Sequence, residues 1–179
     1  GSEMCIRDSS QSWVDEWHRT QVSEHSYYCS DFKFRKGMVS DKNTPAYTLH
    51  MADGMWLNKS FKNSILQRIA KCELDGKRYV YSDLGFVLLQ QVVEKVTELP
   101  MDLYLAREFY APMGLQRTMF LPLTTFTKAE IMPTASNDFL RRQDICGYVH
   151  DETAACMGGV SGNAGLFSTA EEVAKVYQM

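Results

Sequence analysis

The sequence predicts an α+β, mostly helical domain. Apolar residues recur at helical spacing over residues 60–71, 82–98, 101–109 and 169–179. Only short β-prone runs, at 78–81 and 118–121, interrupt those helices. The 179 residues are 45% hydrophobic and 23% charged, ordinary globular usage that excludes wholesale disorder and collagen-like repeats. A chain of this length can bury a sizeable core without disulfide or metal staples.

Taken in order, Gly1-Ser2-Glu3-Met4-Cys5-Ile6 opens without an initiator methionine or any periodicity. Residues 1–10 therefore read as a non-native leader, and 11–179 as one partial domain. Residues 11–22 could form a short helix. The aromatic-rich stretch to Trp56 reads as irregular, with turns at Lys36-Gly37 and Thr44-Pro45.

Ser60 can cap a helix carrying Phe61, Ile65, Ile69 and Cys72 on one face. Asp75-Gly76 is a turn signal ahead of the 78–81 run. Ser82 then caps a helix with Leu84, Val87, Leu88, Val92 and Val96. Phe86, Leu89 and Val93 add a second apolar face, so this helix is expected to be buried on most sides. Pro100 closes it, and a third helix stops before Pro112 and Gly114. Residues 122–157 read as mostly irregular. The run Gly158 to Phe167 has alternating glycines, suited to an extended edge, a close backbone approach or a tight turn. Ser168-Thr169-Ala170-Glu171 reads as a capping box opening the last helix. That helix has no C-cap signal, so both ends read as cuts and a fragment is expected.

Nineteen basic against 22 acidic residues leave a net charge of −3, which offers no field for nucleic acid. Five cysteines without a C-x-x-C pair imply neither a zinc site nor a disulfide framework. No apolar run is long enough to span a bilayer.

Two features could carry chemistry. Tyr81-Ser82-Asp83 sits where a β-prone run turns into a helix. A phenol titrates near 10 in water and acts as a base only if its surroundings stabilise its anion; a helix amino end can help do so. Asp83, in the first turn, could orient a lysine. Packing for the tyrosine, capping for Ser82 and dipole complementation for Asp83 explain the same residues equally simply. The glycine run at 158–167 lacks the spacing of a phosphate cradle, leaving a substrate-facing edge or a plain turn. His150-Asp151-Glu152 has metal-binding residue types without ligand spacing, so a loop-ordering role is expected for His150 and Asp151 and no metal or other cofactor is implied. His18, His25 and His50 are scattered and read as packed or solvent-facing.

Tyr81-Ser82-Asp83-Leu84-Gly85, followed by an apolar helix, resembles the tyrosine motif of the serine β-lactamase-like superfamily. That superfamily includes class C β-lactamases, D-Ala-D-Ala carboxypeptidases and related esterases. The segment Pro112-Met113-Gly114-Leu115 with Thr118 is similar to its P-L-G-M-x-x-T stretch. Gly147-Tyr148-Val149-His150-Asp151 and the run from Gly158 to Thr169 are similar to its G-x-V-H-D and G-G-x-x-G-x-A-G-L-F-S-T segments. Order and spacing agree over roughly residues 49–179. The last segment is worded most like the β-lactamase-like module fused to bacterial family 3 glycoside hydrolases.

The resemblance implies a truncated β-lactamase/transpeptidase-like fold, with a helical lobe near 57–121 and a glycine-rich substrate edge at 157–169. It also implies a serine acyl-transfer site acting on a D-Ala peptide, a lactam or an ester, and family habit implies export to the periplasm or envelope. By position, Tyr81 would move the proton, and Asp83 would stand where an asparagine is commoner. Gly159, Ser161, Gly162 and Asn163 would line the substrate edge. A carboxylate at 83 adds a charge and removes an amide donor. The family's S-x-x-K nucleophile has one match here, Ser30-Asp31-Phe32-Lys33, about what chance supplies. It does not open an apolar helix. No K-T-G or H-T-G follows Tyr81, so the chain alone is expected to be inactive. A non-catalytic module that binds cell-wall peptide or packs on a fused glycosidase is the alternative.

Overall fold

The computed structural model describes residues 18–23, 26–30, 34–71 and 81–178. It shows helices together with small antiparallel sheets. Strands β1 (His18–Ser23) and β2 (Ser26–Ser30) pair antiparallel with His18 opposite Ser30. The helix expected over 11–22 is thus a strand where it is described, and its remainder lies outside the described residues. β-Branched and aromatic residues at 20, 22, 27 and 28 favour that outcome.

β3 (Val39–Ser40), β4 (Tyr47–Ala52) and β5 (Met55–Asn58) form a sheet in the order β3-β5-β4. This region was expected to be irregular. Its organising signal is Asp53-Gly54, a two-residue loop between paired Ala52 and Met55, with Gly54 at φ 59°. An Asp-Gly pair between apolar runs supplies the positive φ that tight hairpins need.

Helix α1 (Ser60–Lys71) buries Phe61 and Ile65 as expected. Ser60 does not cap it as an acceptor; its amide and hydroxyl both donate to Asn58 Oδ1, at 3.0 and 2.8 Å. Cys72, the Asp75-Gly76 turn and residues 78–80 lie outside the described residues. Helix α2 (Asp83–Thr97) follows, and Ser82 Oγ accepts from the Leu84 amide at 3.3 Å. It ends at Glu98, in the left-handed region at φ 57°. Helix α3 (Met101–Leu105) loosens into a π turn over Ala106–Tyr110 ahead of Pro112.

Residues 122–157 are more ordered than their lack of periodicity predicts. They hold strands β6 (Pro133–Asp138) and β7 (Gln143–Cys146) and helix α4 (Glu152–Cys156). The strand expected at 118–121 is only a bridge between Met119 and Phe167. Helix α5 (Ala170–Tyr177) is capped one residue later than the sequence suggests. Thr169 accepts from the Glu172 amide, while the Glu172 carboxylate accepts from the Gln116 and Arg117 amides and the Thr118 hydroxyl.

The main core joins Met51 and Leu57 of the sheet to Phe61 and Ile65 of α1, Val87 of α2 and Cys156 of α4. Helix α2 is not buried on most sides. Its buried residues are Val87 and Gln90, while Leu88, Leu89, Val92 and Val96 are exposed. The apolar face that periodicity assigns to a core therefore faces outward in this chain.

Candidate functional site

Tyr81 stands just before α2 with 59% of its surface exposed, its ring 5.9 Å from that of Phe86. Asp83 opens the helix half-buried. Residues 83, 87, 90 and 94 fall on one stripe, because positions four, seven and eleven apart return to the same face. Gln90, 1% exposed, uses both ends of its amide on that stripe. Its Nε2 donates to Val160 O at 3.3 Å, and its Oε1 accepts from the Gly162 amide at 3.2 Å. Glu94 Oε1 accepts from Gln90 Nε2 at 3.0 Å and from the Met101 amide at 3.2 Å.

The glycine ribbon therefore runs against α2 within two turns of Tyr81. Contact is close enough that a Cβ on Gly162 would lie 2.1 Å from Phe86 O. Gly165, at φ 115°, folds the ribbon back so that a Cβ there would lie 2.4 Å from Gly159 O. Both positions need glycine for space, and Gly165 also for its backbone angle.

The ribbon is held by polar side chains from its own neighbourhood. Ser161, 2% exposed, donates to Asn163 Oδ1 at 2.6 Å. Asn163 Nδ2 donates to Asp151 Oδ1 at 3.0 Å. The same Asp151 oxygen caps α4 by accepting from the Ala154 amide at 2.7 Å. Upstream, Arg141 and Asp138 are fully enclosed in the turn between β6 and β7. The guanidinium meets Asp138 through Nε at 2.8 Å and Nη2 at 2.8 Å, and donates to Val149 O at 2.7 Å and His150 O at 2.6 Å. Burial opposes charge on Asp138, but hydrogen bonds from the Arg141 side chain and amide outweigh it and hold the carboxyl below its usual range. Burial lifts the neighbouring Glu152 carboxyl and the Cys156 thiol above theirs. His150 itself is exposed, its Nε2 3.9 Å from Asp138 Oδ2.

A second polar cluster fastens the β4–β5 hairpin to the chain after β7. The Tyr148 phenol donates to Asp53 Oδ1 at 3.0 Å and lies 3.1 Å from His50 Nε2. The His50 ring stacks on Trp56 with centroids 3.8 Å apart, and Asp53 pairs with Lys128. Burial lowers the His50 pKa and raises that of Tyr148. Among the described residues no group of three or more His, Cys, Asp or Glu side chains could hold a metal ion, and no helix is long and apolar enough to cross a membrane.

The structure thus places Tyr81 and Asp83 at one end of α2, and Gly159, Ser161, Gly162 and Asn163 along the ribbon that packs on that helix. Ser30 ends strand β2, and Asp31, Phe32 and Lys33 of its S-x-x-K match lie outside the described residues. Sequence reasoning passed over Gln90, although a polar residue on the Asp83 stripe of an apolar helix was a readable signal. It also passed over Asp138 and Arg141, which pair with each other while Arg141 also donates to two backbone carbonyls, contacts that leave no periodic trace.

Comparison with known proteins follows this geometry. The profile of the family described as Beta-lactamase matches residues 21–179. A protein of Salmonella agona (strain SL483), named "Putative D-alanyl-D-alanine carboxypeptidase", is 34% identical over 150 residues, covering 75% of this chain and 34% of its own. Its namesake in Salmonella schwarzengrund (strain CVM19633) is 35% identical over the same shares. The chain thus spans about a third of the length of these curated relatives. No solved structure matches it. With the family profile covering most of its length, the chain belongs to the beta-lactamase family.

Proposed function

We propose that this chain is the tyrosine-bearing part of a serine hydrolase that works through an acyl-enzyme on a D-Ala peptide, a lactam or an ester. The exposed Tyr81 phenol, at the end of the helix that carries the glycine ribbon, is the observation that supports this most. In this reading Tyr81 moves the proton between nucleophile and leaving group, and Asp83 orients the lysine that activates the nucleophile. The edge formed by Gly159, Ser161, Gly162 and Asn163 aligns the substrate. The S-x-x-K serine and the K-T-G or H-T-G strand are contributed by sequence outside this chain, so the chain alone turns nothing over. The truncated form of the fold belongs to the same proposal. Attachment to a family 3 glycoside hydrolase rests on the wording of residues 147–169 alone.

The test is labelling of the full-length protein with a fluorescent penicillin, beside turnover of a simple ester. Tyr81→Phe should slow acylation by about 100- to 10,000-fold, the usual worth of a positioned proton-transfer group. An unchanged rate returns Tyr81 to packing. A full-length protein that neither labels nor cleaves the ester leaves the non-catalytic, cell-wall-binding reading.

A further inference from the structure

We infer that Asp151 and Asn163 are positioning residues that set the shape of the glycine ribbon on α2, and that Arg141 anchors them. This rests on the proposed role of the ribbon as the substrate edge.

The geometry runs one way from the buried pair. Arg141 grips two successive carbonyls, Val149 O and His150 O. A planar guanidinium already fixed by Asp138 leaves those carbonyls little freedom. The next residue is Asp151. Its Oδ1 takes two donors, the Ala154 amide that begins α4 and the Asn163 amide group from the ribbon twelve residues on. Asn163 in turn accepts from Ser161, and between them the Gly162 amide meets Gln90. Ser161 and Asn163 thus spend hydrogen-bonding groups within the protein. They act on a substrate by holding the ribbon's backbone in place.

Ordinary packing would also tie this segment down, so the chemistry of residue 151 discriminates. Both bonds use a single oxygen, which an asparagine carbonyl can replace and an alanine cannot. In this chain, Asp151→Ala and Asn163→Ala should each speed amide exchange at Gly162 about tenfold. Asp151→Asn should stay close to the parent. Asn163→Ala leaves the α4 cap intact, so its effect reports the ribbon alone. Unchanged exchange at Gly162 in Asn163→Ala, or Asp151→Asn exchanging as fast as Asp151→Ala, overturns the inference.

The full-length protein supplies the second readout. Fluorescent penicillin should acylate Asn163→Ala with a raised half-saturating concentration and a pH profile unchanged from the parent, because the proton-transfer group is untouched. A shifted pH profile would overturn the positioning role. Failure of the parent to label removes the acyl-enzyme reading and leaves the exchange result to judge the ribbon.

Discussion

Helix α2 turns Leu88, Leu89, Val92 and Val96 outward and buries Gln90, whereas residues 138–163 bury an arginine, an aspartate and a serine where irregular chain joins a short strand, a short helix and the glycine ribbon. The helix satisfies its own backbone, so its interior-facing side chains are free to serve another chain segment. The ribbon cannot satisfy its own backbone. It borrows Gln90 from the helix, and its shape from Asn163, Asp151 and ultimately Arg141. A regular element can carry a functional group on local rules, but an irregular edge needs a buried polar frame, since an unpaired buried group costs more than a pair contributes.

The contrast breaks first at Arg141. Arg141→Met leaves the Asp138 carboxylate enclosed without its partner and should cost about 3–5 kcal/mol in urea unfolding. Its pH dependence has a definite sign. In the parent, Asp138 titrates below its ordinary 3.8, so its contribution is present above that value and lost as pH falls through the lower folded value. In Arg141→Met burial acts on Asp138 without that compensation, so protonation relieves the variant. The stability gap between the two should therefore narrow on acidification; a gap that widens would contradict the clasp.

A smaller effect is expected where ribbon meets helix. Gly162→Ala sets a Cβ against the Phe86 carbonyl, at 2.1 Å before relaxation. Both sides are main chain, so the ribbon must lift, at about 1–3 kcal/mol. The urea midpoint checks this, and an unmoved midpoint would mean that the two segments do not touch in solution. The smallest effect belongs to the outer face of α2. Val96, 76% exposed, should accept threonine within about 0.5 kcal/mol. A loss above about 1 kcal/mol in this chain would show that the face is covered.

Much of the helical part was legible in the sequence. Ser82 is a cap because its hydroxyl can accept a first-turn amide, and Phe61 and Ile65 are core because they share a face. Asp53-Gly54 carried a hairpin that went unread beside its aromatic neighbours. The candidate site was legible only in part. Tyr81-Ser82-Asp83 and the glycine run stand out by residue type, and Asp151 by its place beside His150, but Asp138, Arg141 and Gln90 look like any polar residues until their partners are seen.

The sequence by itself determined helices α1 and α2 and the Ser82 cap, because those follow from periodicity and backbone rules acting over a few residues. It could not determine which face of α2 turns inward, since the same pattern of valines and leucines permits either. Tertiary structure decided that through contacts 70 and 72 residues apart in the chain, between Gln90 and the ribbon. Hydrogen bonds of that range depend on where two backbones meet, and no local propensity encodes the meeting.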